Sequence, residues 1–272
     1  MLKKIIKNLL KISILSFLVL LLLYPIYYLL LFSFLSKKEF QDNVLPLFSL
    51  NINFSNYHEI FNENFNKALL LTLSSVFVMI IFRITVYSCS TIIFINIKNI
   101  AKKTFLFLIL IITVIPEFSL YLGLKKILFS IDEQKKFFFI TMTANSIFAY
   151  FLLNYLFRQV EKIKKEKQFI ILNDNLSALD KLRIVYLPKL KMPYFLIIIF
   201  SIINVWNDYL WPNFLLSGFK EQNITIWFRG LGEVGLGASF VNVKAAGAFV
   251  SLSIPYMFYL IFSKFINREL RK

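Results

Sequence analysis

Residues 12–35 read ISILSFLVLLLLYPIYYLLLFSFL, 24 positions without a charged side chain. A helix rises about 1.5 Å per residue, so about 20 apolar residues cross the hydrocarbon layer of a bilayer. This run is long enough to do so. Lys3, Lys4, Lys7 and Lys11 precede it as they would in a signal peptide, but it exceeds a usual h-region and no A-x-A-like site follows, so it reads as a retained helix. Five further apolar runs occupy 68–95, 105–122, 137–157, 194–216 and 245–265, and stretches rich in Lys, Asn, Glu and Ser separate them. Within a bilayer only a helix satisfies its backbone groups inside one segment, and these runs are too uniformly apolar for barrel strands. The fold class read from the sequence is all-α: a polytopic membrane protein with six transmembrane helices.

Composition agrees. The 272 residues are 58% hydrophobic and 17% charged, against about 45–50% and about 25% in an ordinary soluble domain, so polar surface is too scarce to cover the apolar surface. The formal charge of +16 would suit nucleic-acid binding only as a patch on a soluble surface. Instead the cations divide by side. With the N-terminus inside, 20 of the 31 Lys and Arg fall on the inner side: four before the first run, Lys98, Lys102 and Lys103, nine from Arg158 to Lys191, and four from Lys264 onward. Ten fall outside, and Arg83 lies within a run. This is the positive-inside distribution. It predicts a cytoplasmic basic N-terminus at 1–11, a first transmembrane helix at 12–35, an external loop at 36–67, a five-helix transmembrane domain at 68–265 with a cytoplasmic loop at 158–193, and a cytoplasmic tail at 266–272. Both termini are expected in the cytoplasm of a cell whose plasma or inner membrane holds the chain. The lipid bilayer is a partner and nucleic acid is not.

Nothing points to catalysis. Cys89 is the one cysteine and His58 the one histidine, which excludes an intrachain disulfide and a Cys/His metal cluster. Cys89 reads as a small core residue and His58 as loop surface. Gly230-Leu231-Gly232-Glu233-Val234-Gly235 matches G-x-G-x-x-G, but that fingerprint requires a strand, a helix and an acid about 20 residues on. The next acid after Glu233 is Glu269. No P-loop and no catalytic carboxylate pair or Ser/His/Asp set is found, so no cofactor, metal or enzyme activity is expected.

The cytoplasmic loop carries more information. Leu172, Leu176, Leu179 and Leu182 recur at helical spacing, an amphipathic pattern that lies on a membrane or docks into a protein. Asp174-Asn175 interrupts it where Asn accepts a left-handed turn, and Leu187-Pro188 follows. In the fifth run stands Trp206-Asn207-Asp208-Tyr209-Leu210-Trp211-Pro212.

These two stretches resemble the inner-membrane permease subunits of ATP-binding cassette (ABC) importers, of the carbohydrate type that includes maltose and glycerol-3-phosphate systems. That family carries E-A-A-x-x-x-G, with Asp before the Gly in this branch, then a Leu-Pro step, and W-N-D-[FY]-L-W-P in the fifth helix. Asp174, Leu187 and Pro188 match, as do Trp206, Asn207, Asp208, Trp211 and Pro212. Asn175 stands for the Gly, and Phe169-Ile170-Ile171 replace Glu-Ala-Ala. Pro188 and Pro193 are five apart where the family has four. Weaker similarity covers Tyr24-Pro25, Asn56-Tyr57, Ile115-Pro116 and Ala246-Gly247-Ala248. The resemblance implies a pore made with a second homologous permease subunit, two cytoplasmic ATPase subunits and an extracytoplasmic solute-binding protein. Residues 169–182 would form the coupling helix, with Phe169, Ile170, Leu172 and Leu176 filling a cleft of the ATPase.

Ionisable groups at membrane depth cost about 2.5–3.5 kcal/mol or more unless paired or wetted. Arg83 near the middle of 68–95, Glu117 after Pro116, and Asp208 qualify. Arg83 either lines a water-filled pathway or pairs with Glu117. Asn207 is a further polar candidate for the pathway, and Asp208 either closes the outer end of its span or touches sugar. The expected function is import of a sugar or sugar-like solute. Glycerol 3-phosphate or another phosphorylated solute is the alternative, ahead of an ion-coupled secondary transporter or a non-transporting scaffold.

Overall fold

The computed structural model describes residues 2–41, 52–129, 138–143, 146–167, 177–235 and 238–270. In chain order the elements are α1 (Leu2–Phe34), α2 (Lys37–Gln41), α3 (Ser55–Ile60), α4 (Glu63–Asn96), α5 (Asn99–Val114), α6 (Glu117–Phe129), α7 (Phe138–Thr141) and α8 (Tyr150–Glu166). There follow α9 (Ala178–Asp180), continued by a π-helical stretch Lys181–Tyr186, then α10 (Lys191–Asn207), α11 (Leu210–Leu215) and α12 (Ile224–Arg229). A two-residue-register ribbon of β1 (Glu233–Gly235) and β2 (Ala238–Ser239) precedes α13 (Val241–Leu270).

The helices are membrane-like. Ile6–Phe34, Glu63–Ile95 and Val241–Lys264 are each long and apolar enough to cross a bilayer, with 6%, 28% and 17% of their most apolar windows buried within the chain. Apolar side chains left this exposed need lipid or another subunit around them. The first helix carries Pro25 in its interior, which spanning helices tolerate.

At three places the structure differs from six uninterrupted runs. Residues 105–122 are divided between α5 and α6, whose segments Asn99–Val114 and Ser119–Ile127 bend by 97°. Ile115 takes an extended conformation (φ −60°, ψ 128°), as the ring of the following Pro116 demands. Within 137–157, helix is present at Phe138–Thr141 and again from Tyr150, with non-helical backbone at 142–143 and 146–149. The third break divides 194–216 at Asp208-Tyr209, between α10 and α11. Cys89, expected in a core, is exposed; it lies on the apolar helix α4.

The chain forms two compact units. One comprises Met1–Asn66 and Trp227–Ser263. Its polar centre is Asn56, whose Nδ2 donates to the carbonyls of Ser33 (3.0 Å) and Leu35 (2.8 Å), freed where α1 ends. Asn242 Nδ2 donates to Asn56 Oδ1 (2.9 Å), and Tyr57 donates to Ser33 Oγ (2.8 Å). A helix end buried without such partners would leave carbonyls unsatisfied. Ser36 and Glu39 then form a reciprocal capping box on α2: Ser36 N–H donates to Glu39 Oε2 (3.0 Å), and Glu39 N–H to Ser36 Oγ (3.2 Å). In the Gly230–Gly235 stretch, Gly232 has φ +66°, the left-handed region that Gly adopts without strain. Its carbonyl accepts the Phe240 N–H at 2.9 Å, so the motif builds a turn and ribbon.

The second unit comprises Lys67–Ile226 and Lys264–Lys272. Its largest core joins Tyr87, Phe94 and Ile95 of α4, Ile109 of α5, Leu153, Leu156, Phe157, Val160 and Ile163 of α8, and Val185, Tyr186, Leu190 and Ile197 beyond the loop. Phe94 and Phe157 stack at 4.0 Å. The buried residues of α8 recur at three- and four-residue spacing, one apolar stripe beneath a basic face. A smaller core gathers Tyr121, Met142, Trp211, Leu215 and Leu216.

Candidate functional site

Arg83 is fully buried in α4. Its Nη2 donates to the Ser146 carbonyl at 2.6 Å, and its Nη1 donates to Ser201 Oγ of α10 at 3.2 Å. With its amide oxygen turned toward the guanidinium, Asn204 accepts from Nη2 at 2.9 Å and donates to the Phe200 carbonyl at 3.1 Å. Four residues on along α4, the Tyr87 hydroxyl donates to the Ile147 carbonyl (3.2 Å) and accepts the Ala149 N–H (2.9 Å). Positions i and i+4 share a helix face, so Arg83 and Tyr87 together bond three backbone groups of the non-helical stretch at 146–149. Irregular backbone at membrane depth persists only where the protein supplies its hydrogen bonds. That is a physical reason for an arginine inside an apolar helix. Among the described residues no carboxylate pairs with Arg83; the side chain of Glu117, at the start of α6, lies outside them.

The Trp206–Pro212 stretch falls on the break between α10 and α11. Trp206 and Pro212 are buried, Trp211 is fully buried, and Asn207 is exposed. Asp208 Oδ1 accepts the Trp211 N–H at 3.3 Å, the geometry of a side chain capping a new helix. The Asp208 carbonyl, released as α10 ends, accepts Asn223 Nδ2 (2.9 Å) and Thr225 Oγ1 (2.8 Å). Asn223 Oδ1 in turn accepts the Ile226 N–H (3.0 Å), and Thr72 Oγ1 accepts the Ile224 N–H (2.9 Å), so α12 starts on α4. Trp211 Nε1 donates to the Thr141 carbonyl at 3.1 Å, and its ring lies 5.0 Å from that of Tyr121. Lys125 Nζ donates to the Phe214 carbonyl at 2.7 Å.

Of the 158–193 loop, Phe169, Ile170, Leu172, Asp174, Asn175 and Leu176 lie outside the described residues. After them Ser177 Oγ accepts the Asp180 N–H (3.2 Å) and opens α9. The π turn closes with the Leu187 N–H on the Leu182 carbonyl (2.8 Å), ahead of Pro188. Val185 and Tyr186 anchor this stretch in the core, while Leu179, Ile184 and Leu187 are 69%, 62% and 44% exposed. Lys189 Nζ meets Glu166 Oε2 at 2.9 Å. This bond ties the end of α8 to the chain 23 residues later, and the Lys189 hydrogen bond and charge hold the Glu166 carboxyl below its ordinary range.

Sequence reasoning did not select Tyr87, Ser201, Asn223 or Thr72. Tyr87 had a signal, its i+4 position from Arg83, and Asn223 is a cap residue just before α12. Ser201 and Thr72 are polar partners visible only once helices meet.

No family model matches the chain. It is 24% identical over 280 residues to a "probable ABC transporter permease protein" of Mycoplasma genitalium, covering 96% of this chain and 86% of that protein. A homologue of that protein in Mycoplasma pneumoniae is 25% identical over 180 residues, 61% of this chain and 56% of the relative. Among solved structures, a chain of a bacterial ABC transporter involved in the import of the acidic polysaccharide alginate superposes with TM-score 0.80 at 18% identity, over 95% of this chain and 96% of that one. The structural likeness shows a shared fold, and over nearly its whole length this membrane protein is similar in sequence to a probable ABC transporter permease.

Proposed function

We propose that this chain is the permease subunit of a binding-protein-dependent ABC importer that moves a sugar or sugar-like solute. The observation that carries the reading is the Trp206–Pro212 break: a family signature in sequence that here caps α11, buries Trp211 and anchors α12 through the Asp208 carbonyl, in a chain similar to ABC permeases over 96% of its length. In this reading a second homologous permease covers apolar helix surface left bare in the single chain. Two ATPase subunits act from the cytoplasm, where both termini and the 158–193 loop lie, and hydrolysis is theirs. The six crossings are the three long helices, the bent α5–α6 pair, the 137–157 region with α8, and α10–α11.

Coupling runs through residues 169–182 and the exposed apolar residues just after them. Leu179 within that range, and Ile184 and Leu187 beyond it, stand out from a stretch anchored in the core by Tyr186, which suits a helix pressed into a cleft. Arg83 is assigned to holding the 146–149 backbone, with solute contact left to exposed groups such as Asn207. The test is reconstitution with the cognate ATPase, second permease and binding protein, measuring vanadate-sensitive uptake of a maltooligosaccharide and of glycerol 3-phosphate. Uptake of the sugar supports the reading, and uptake of the phosphorylated solute alone overturns the sugar assignment. Vanadate-insensitive, ion-driven uptake, or a complex that moves nothing, overturns the importer itself.

A further inference from the structure

The second unit contains a cavity of about 750 Å³ where α4, α5 and α8 end or begin, within the range of small-ligand sites. Its walls carry five cationic side chains, Lys102, Lys103, Arg158, Lys164 and Lys165, against the single carboxylate of Glu161. Lys102 is only 7% exposed. Its Nζ lies 3.6 Å from Glu161 Oε1 and 4.3 Å from the centre of the Phe94 ring. Lys164 Nζ donates to the Ile95 carbonyl at 3.2 Å. Among the described residues no carboxylate pairs with Lys103, Arg158 or Lys165. Like charges gathered in a concavity repel one another and concentrate positive potential there. One carboxylate does not offset five cations, so the site is built for an anion.

We infer that this cavity binds the phosphate of an anionic phospholipid headgroup. Its position is the first reason: Phe94 and Ile95 end the spanning segment Glu63–Ile95, and Asn99 begins the next apolar helix, so the cavity opens at a membrane boundary. The second reason is its apolar side. Leu106, half-buried on the cavity wall, offers apolar surface that an inorganic ion would not use, and the stacked Phe94 and Phe157 are almost fully buried behind the cationic groups. Further along α5, Phe107 and Leu108 are 60% and 52% exposed, a surface suited to acyl chains. Basic pockets between helix ends are where anionic headgroups are held. The inference requires membrane insertion but no transported solute, so it stands or falls separately from the importer reading.

The purified full-length chain in nanodiscs of phosphatidylglycerol and phosphatidylcholine provides the test, with retained lipid counted by native mass spectrometry. Wild type retains phosphatidylglycerol in preference to phosphatidylcholine, and K103Q/K165Q lowers that retention about thirtyfold. K103R/K165R keeps the charge and keeps the lipid. K7Q/K11Q removes equal charge elsewhere and leaves retention unchanged; an equal loss in this variant would mean a diffuse surface field and overturn the site. Should the neutralised variant not fold, the unfolding midpoint of wild type decides, because a ligand that binds only the folded state raises it. A rise with phosphatidylglycerol and none with phosphatidylcholine or millimolar inorganic phosphate is expected. An equal rise with inorganic phosphate, or no lipid preference, overturns the proposal.

Discussion

Arg83 and Asp208 show how a polar residue in an apolar run is explained by the backbone it serves. Arg83 donates to the Ser146 carbonyl, to Ser201 Oγ and to the Asn204 amide oxygen, so Arg83→Met strands three acceptors. Leaving a buried group unsatisfied costs about 1–3 kcal/mol, and thermal unfolding in detergent should show the loss. Arg83→Lys recovers only part of it, because an ammonium lacks the guanidinium fork. For Asp208 the cap and the solute-contact roles diverge by substitution. Asp208→Asn keeps an oxygen for the Trp211 N–H and should retain transport, whereas Asp208→Ala loses about 1 kcal/mol of helix-cap stability. Trp211→Ala empties a fully buried site and costs about 3–5 kcal/mol, measured as lost folded yield.

Elements were legible where the apolar pattern was long and unbroken. Residues 12–35, 68–95 and 245–265 announced α1, α4 and α13, because nothing interrupts their helices with backbone demands from elsewhere. The broken regions were less readable. Pro116 signals a kink, but hydropathy carries no angle, and the 97° bend arises from the extended Ile115 before it. At 142–149 the sequence stays apolar while the backbone leaves the helix, and the partners that permit this, Arg83 and Tyr87, lie some 60 residues away in sequence. Of the 158–193 loop, the sequence marked the Leu-Pro step and the leucine spacing, but not the tie between Glu166 and Lys189. That tie yields a prediction with a defined sign. The folded Glu166 carboxyl titrates below its ordinary value, so its contribution is present above the unfolded pKa of about 4.3 and is lost as pH falls through the lower folded value. Wild type should exceed Glu166→Gln slightly in unfolding midpoint near neutrality, with the two converging on acidification. The pair is half-exposed, so the difference is small.

At the scale of the whole chain, charge and apolar content describe one arrangement. The +16 charge is concentrated by sequence at the ends of apolar helices, and the exposure of α1 within the single chain leaves apolar surface for lipid or another subunit to cover. Ile184→Asp, on the exposed side of the π turn, should leave the chain folded in the membrane while reducing solute-stimulated ATP hydrolysis of the complex at least tenfold, a change equivalent to about 1.4 kcal/mol in activation free energy. The central claim is that this subunit couples a partner's ATP hydrolysis to solute movement. The most direct measurement is ATP hydrolysis by the reconstituted complex with and without loaded binding protein, alongside solute accumulation in the same vesicles. The account predicts that loaded binding protein stimulates hydrolysis and that vanadate abolishes both hydrolysis and accumulation. Accumulation that continues under vanadate, or hydrolysis indifferent to loaded binding protein, would contradict it.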